Sequence, residues 1–420
     1  MGMKRVPALI GLVVLLLAGL PAGWSRAAED DDALRKRATA LNDVTGTDSI
    51  DAQITQLLKD KEKTKQLLEV AGRMARGKEQ PFNYNGAYIL GRTAHELRDL
   101  DGAELFYGLC VKEATRLQSG QKLAASFGGM IDLFYESKKY EKTVKLCRDF
   151  LELKGDETVN RLKPAVIERM IQSMTRQGKI DDALKLVDNF VEAEDKDGGW
   201  WSLQLKGWVL REGSRYDDAA KTYELVIDRI EKDKELKDDL KDRYSERNRY
   251  VLSGVYVDLK QIDKAADQLK TLLKKKPDDP TFNNDLGYIW ADHDMNLDEA
   301  EKLIRKALDS DKKERAKLKE DGKLPAEFDK DNAAYLDSLG WVLYKKKNYE
   351  EAAKHLKQAV EDPEGQHIEI MDHLGDVYMA LKQKDKAVEV WKKALKQENL
   401  SKREQTRKAE VEKKLKDAEK

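Results

Sequence analysis

Two stretches of this chain repeat one another at a shift of 35 residues, and that periodicity limits the fold more tightly than composition could. Residues 333–363 align with residues 368–396 so that Gly340 meets Gly375, Ala352 meets Ala387, Ala359 meets Ala394, Leu343 meets Tyr378 and Leu356 meets Trp391. In the first copy Leu336, Leu339, Gly340 and Leu343 stand at i, i+3, i+4 and i+7, which puts them on one stripe of an α-helix. Lys345 to Asn348 make a polar turn. Tyr349, Ala352, Leu356 and Ala359 then give the stripe of a second helix, which Asp362 and Pro363 end. Gly340 and Ala352 are small because antiparallel helices on a short turn approach closely only where a bulky side chain is missing. A unit of this kind cannot bury its apolar stripe alone, so neighbours must stack.

The second-helix alanine recurs upstream as Ala300, Ala265, Ala219, Ala183 and Ala103, with Thr143 replacing it once, which makes eight units. Successive spacings of 40, 40, 36, 46, 35, 52 and 35 residues mark where the unit is lengthened. The three earliest units depart most, with Ile131 and Ile171 where glycine would stand. This combination of period and small residues resembles the tetratricopeptide repeat (TPR), most clearly over 284–308 and 334–360, where the pairs look like those of exported bacterial TPR proteins. The resemblance implies an all-α, right-handed superhelical solenoid of about eight TPR-like helix-turn-helix repeats. It also implies a concave surface that holds an extended peptide or a partner's helix.

The domain plan follows. Residues 1–27 read as a signal peptide, 28–80 as an N-terminal helical cap without the repeat signature, 81–396 as the repeat array, and 397–420 as a charged C-terminal helix suited to shield the last repeat. Charged insertions fall near 229–246, read as extra helical turns facing water, and near 309–331, read as a prolonged helix followed by a loop. Both are expected on one face. The signal assignment rests on Lys4 and Arg5, an apolar run of 13 residues from Ala8 to Leu20, and an A-x-A-like site at Ser25, Arg26 and Ala27. A membrane-spanning helix needs about 20 apolar residues, so a retained membrane anchor is the weaker reading of this run, and no integral membrane segment is expected after cleavage. The product is expected to be exported, periplasmic or secreted. Cleavage would remove three cations and no acid, taking the formal charge from -1 to -4.

Charge and chemistry exclude other classes. With 78 basic against 79 acidic side chains there is no field of one sign to draw nucleic acid, and none is expected as a partner. None of the five histidines pairs with another at i, i+4, the spacing at which two imidazoles would face one metal, and His367 and His373 are six apart. There is no glycine-rich phosphate loop and no nucleophile elbow. No catalytic residue, metal or cofactor is therefore expected, and the chain reads as a non-enzyme. Cys110 and Cys147 occupy core positions of neighbouring second helices. They are either bonded, as export would permit, or two buried thiols acting as small hydrophobes. Their motif positions differ by three residues, which favours the thiols.

The more informative pattern lies on the first helices, opposite the packing stripe. Trp208, Tyr288 and Trp341 each directly follow the motif glycine, Tyr344 lies one turn beyond Trp341, and Trp201 and Tyr250 share the same inner stripe. These six are the candidate groove-lining residues, since aromatic anchors often dominate such interfaces. The opposing reading packs the rings between neighbouring helices. Asn284, Asp285, Asp292, Asp337, Asp372 and Asp376 lie on the same surface and depart from the basic clamp with which some TPR domains grip a carboxylate. Such a groove favours a ligand with basic and apolar groups. The expected function is a non-catalytic protein- or peptide-binding scaffold of the cell envelope. The alternatives are glycan or cell-wall polymer binding through the aromatic groove, or a structural part of an envelope complex.

Overall fold

A computed structural model describes residues 22–77, 81–153, 157–194, 199–398, 400 and 402–420. The apolar run at 8–20 lies outside the described residues. Those described form twenty α-helices and no strand. Two compact units divide the chain, the first ending at Leu186 and the second beginning at Val187.

The first unit opens with α1 (Ala22–Ala40), α2 (Thr47–Leu58) and α3 (Lys61–Arg76), which occupy the segment expected as a cap. Two helix pairs follow, α4 (Tyr84–Glu96) with α5 (Leu100–Arg116) and α6 (Gly120–Glu136) with α7 (Tyr140–Leu151), and then α8 (Glu157–Arg176). The helix α9 (Ile180–Glu194) carries the unit boundary. In the second unit the pairs are α10 (Trp201–Glu212) with α11 (Tyr216–Lys232), α12 (Asp238–Asp258) with α13 (Ile262–Lys275), α14 (Pro280–Asp292) with α15 (Leu297–Glu320), α16 (Ala333–Lys345) with α17 (Tyr349–Glu361), and α18 (Ile368–Ala380) with α19 (Lys384–Ala394). The chain ends in α20 (Lys402–Glu419). Counting α8 with α9, eight pairs stand where eight second-helix positions recur in the sequence.

The small residues do what the period requires. A Cβ on Gly340 would lie 2.5 Å from Leu356 Cγ, on Gly287 2.6 Å from Ile304 Cγ1, and on Gly375 2.1 Å from Trp391 Nε1. Each glycine is thus the slot for a large side chain of its paired helix, and Ala300, Ala352 and Ala387 are fully buried opposite them. Every turn within a pair carries a residue in the left-handed backbone region: Arg98, Lys138, Gly178, Ser214, Lys260, Asp294, Lys347 and Lys382, with Asn296 a second one in the turn from α14 to α15. The amide after each of the first eight closes back on the first helix, as where Asn348 N–H donates to Leu343 O at 2.9 Å and Gln383 N–H to Tyr378 O at 2.8 Å. Several first helices begin instead on a side-chain cap, with Asp279 accepting from Phe282 N–H ahead of Pro280, and Asn332 from Tyr335 N–H.

In the insertion at 309–331, α15 runs on to Glu320, and Arg315, paired with Asp311 of the same helix, ties the returning loop through Asp329 and Asp331. That at 229–246 differs. The helix breaks at Lys232, Asp233 caps the amides of Glu235 and Leu236, and α12 begins at Asp238. Leu236 and Tyr244 turn inward against Leu203, Val226 and Ile230, so the segment is not uniformly solvent-facing. Two apolar residues among charges are enough to pin it. Both insertions join a second helix to the next first helix, so they share that edge of the repeats. Cys110 and Cys147 are free, buried thiols, and burial raises both, pushing Cys147 up to about 12.

Candidate protein-binding groove

The first helices of the second unit are linked to one another by side chains along a single face. Arg211 of α10 pairs with Asp258 of α12 at 3.0 Å. The Tyr250 hydroxyl of α12 donates to Asp285 of α14 at 2.7 Å, and its ring leans on Phe282. From α16, Trp341 Nε1–H donates to Asp292 of α14 at 3.1 Å, while Asp337 bonds His373 Nδ1 of α18 at 2.9 Å. Tyr288 of α14 reaches past α16 to donate to Glu369 of α18 at 2.8 Å. The residues that sequence periodicity puts opposite the packing stripe are therefore largely bonded to the next repeat.

The six candidate aromatics separate on this geometry. Trp341 is 8 % exposed, with Tyr344 stacked at 5.0 Å and His373 at 4.0 Å, so its faces are covered and it offers little to a sugar ring. Trp201 packs on Phe190 of α9 at 5.8 Å, and Trp208 is half-buried. Tyr250 is 37 % exposed and Tyr288 half-buried, and only these two meet in an open cleft. That cleft, of about 330 Å³, lies among α10, α12 and α14 and is lined by Arg211, Tyr250, Val257, Asp285, Tyr288 and Asp292, with Gly254 opening its floor. Burial raises Asp285, although the Tyr250 hydroxyl and the Asn284 amide pull it back.

His373, considered from sequence only as a metal ligand, instead sits fully buried at the groove wall. Its Nε2 meets no hydrogen-bond partner among the described residues. Burial disfavours the imidazolium and Arg407 opposes it, but the carboxylates of Asp337 and Glu369 outweigh both and raise its pKa above the ordinary value. A group raised by folding stabilises fully below its unfolded pKa, near 6.5, and that contribution is lost as pH rises through the folded value. The stability of the second unit is therefore expected to fall as pH climbs above about 6.5, measured as the urea midpoint by circular dichroism. Asp337→Asn should flatten that dependence and cost about 1–3 kcal/mol at low pH. A wild-type midpoint indifferent to pH across that window would contradict it.

The C-terminal helix brings the cations that the acidic row lacks. Arg407 pairs with Glu369 at 3.3 Å and Asp372 at 3.2 Å, and Lys414 pairs with Asp372 at 2.8 Å and Asp376 at 2.7 Å. Asp372 is fully buried and also accepts Trp391 Nε1–H at 3.2 Å. Burial lowers Lys414, but Asp376 and Asp372 raise it further, so it stays charged. Val411, between the two cations in sequence, is fully buried in the core that α20 shares with the last repeat. Its first turns also border a second cavity of about 570 Å³, with Thr406, Arg407 and Glu410 facing Arg211, Ser214, Tyr216 and Asp258. Sequence reasoning missed the role of Arg407 and Lys414. The available signal was two basic residues seven apart, flanking Val411 on an otherwise polar helix.

Among the described residues no three His, Cys, Asp or Glu side chains are grouped to hold a metal ion, and no helix is long and apolar enough to cross a membrane. Tetratricopeptide repeat family models match residues 252–315, 332–362 and 368–399. A TPR repeat-containing protein of Pseudomonas aeruginosa is 26% identical over 217 residues, covering 52% of this chain, and the chain spans about a third (31%) of that relative's length. Among solved structures, a tetratricopeptide repeat protein from Parabacteroides merdae aligns with 75% of this chain and 99% of its own at 13% identity and TM-score 0.44. A thermophilic TPR protein from Thermus thermophilus aligns with 51% of this chain and 98% of its own at 19% identity and TM-score 0.38. Residues 252–399 thus carry tetratricopeptide repeats, and helix pairs continue upstream at spacings of 36 to 46 residues in an all-α fold.

Proposed function

We propose that this protein is a non-catalytic scaffold of the cell envelope that binds a partner protein through the cleft among α10, α12 and α14. Stacked repeats of this kind are typical of protein-interaction scaffolds, because stacking creates a long surface without requiring a catalytic centre. The observation that carries the reading is the cleft itself, where Tyr250 and Tyr288 give aromatic surface beside Asp285 and Asp292. That lining suits a peptide with a basic side chain next to an apolar one. The envelope location is supported by the charged and apolar pattern of the first 27 residues. The test is affinity capture from envelope extract with the native chain and with Tyr250→Ala/Asp285→Asn, both checked for helicity. The variant is expected to lose at least ten-fold of a partner that the native chain captures specifically. Equal capture by both folded proteins would remove the cleft from the function.

A further inference from the structure

The docking of α20 has a weakness built into it. Of its 18 residues, Val411 and Ala418 are buried apolar side chains, with Leu415 half-buried beside them. By contrast α18 buries Ile368, Ile370, Met371, Leu374, Val377 and Tyr378. What holds α20 is chiefly the ion pairs of Arg407 and Lys414, together with Lys392 to Glu419 at 2.7 Å. Lys392 and Glu419 keep 56% and 48% of their surface in water, so solvent screens that pair, whereas Arg407 and Lys414, at 24% and 32%, reach a fully buried Asp372. An element that buries so few apolar side chains belongs to the low end of local stability.

The receiving surface has the opposite character. The Asp372 carboxylate is fully buried, and Glu369 and Asp376 stand one turn to either side of it, so together they require a cation to be present. The groove thus needs positive charge permanently, while the helix supplying it buries only two apolar side chains among its described ones.

Resting on the protein-binding reading above, but at the other end of the groove, we propose that α20 is a displaceable occupant. The external ligand that takes its place is a cationic amphipathic helix of a partner protein, with two basic side chains two turns apart flanking a small apolar one, as Arg407, Val411 and Lys414 are arranged. Such a helix places its cations on Glu369, Asp372 and Asp376 and its apolar residue where Val411 lies. Tyr288 donates to the same Glu369 that pairs with Arg407, so exchange at this end is felt by an aromatic of the cleft. The closed state lowers the apparent affinity for the incoming helix by the fraction of molecules in which α20 is undocked.

The test uses a fluorescein-labelled peptide with the sequence of residues 402–420, titrated by fluorescence polarisation into the full chain and into full-length Arg407→Glu/Lys414→Glu. The variant, its own helix repelled by the acidic row, is expected to bind the peptide at least ten-fold more tightly than the native chain. A peptide carrying the same two reversals should bind neither protein. Hydrogen exchange over α14 to α18 shows whether the variant keeps its fold. Should it not, full-length Val411→Asp, which releases α20 by removing its apolar anchor, is judged by the same ten-fold gain. Equal affinity for native and released chains overturns the proposal, as does tight binding of the reversed peptide. So does native α20 exchange as slow as that of α18, since α20 would then open only when the unit unfolds. No cellular partner enters this titration, so its failure is separable from failure of the capture experiment.

Discussion

Trp391→Ala is expected to destabilise the second unit by about 3–5 kcal/mol, read as the shift of its urea midpoint at constant slope. The indole is 2 % exposed and fills the slot left by Gly375, so truncation leaves a cavity between helices that a short turn prevents from closing. It also removes the Nε1–H bond to Asp372, a buried carboxylate then left to Arg407 and Lys414 alone. The slot and the ring should be coupled. Gly375→Val, which by itself drives a side chain into the indole, is expected to cost much less in the Trp391→Ala background, and a double-mutant cycle measures the difference. Additive penalties, or a loss for Trp391→Ala below about 1 kcal/mol, would mean that the ring does not set the spacing of α18 and α19.

Gly365→Ala should cost about 3 kcal/mol, at or above the usual range for overpacking by one methyl group. The residue lies in the short link from α17 to α18, where a Cβ would fall 1.8 Å from Ala359 O and 3.0 Å from Ala333 Cβ. Neither neighbour can rotate away, because one is a helix carbonyl and the other a methyl fixed to a backbone. Gly254→Ala is the internal control. Its Cβ would meet only the guanidinium of Arg211, the end of a flexible side chain whose pair with Asp258 is one-third exposed, so a change below about 1 kcal/mol is expected. Thermal unfolding of the two variants side by side tests the contrast, and equal penalties would defeat it.

The repeat register was legible because it is local. Gly340 and Leu356, or Gly375 and Trp391, are paired by a turn whose length fixes which side chains meet, so spacing alone identifies slot and filler. The prolonged α15 was legible for the same reason. The break at 233–237 was not, since whether Leu236 and Tyr244 fold inward depends on Leu203 and Ile230, which belong to other helices. The groove was half legible. Periodicity assigned Tyr288 and Trp341 to one stripe, but which partner each finds is decided by how successive first helices stack. Tyr288 bonds Glu369 across 81 positions, and Trp341 is closed in by His373 from the next repeat. The same limit hid the meeting of α20 with the acidic row: both charges were visible, and their contact is a property of the stack.

The turns within the pairs carry a consequence for how the array holds together. Eight of their nine left-handed residues are arginine, lysine, serine, aspartate or asparagine, and only Gly178 is free of the Cβ conflict. Each of the eight gives up roughly 1 kcal/mol that a residue without a Cβ would retain. In a linear array whose stability is close to a sum over units and their interfaces, this strain recurs from pair to pair, doubled in the turn from α14 to α15 and absent at Gly178. Tension therefore resides in the backbone at one margin of the units, while recognition resides in side chains of the first helices. The lifetime of the scaffold and the chemistry it presents to a partner can then drift independently, because they are written in different residues.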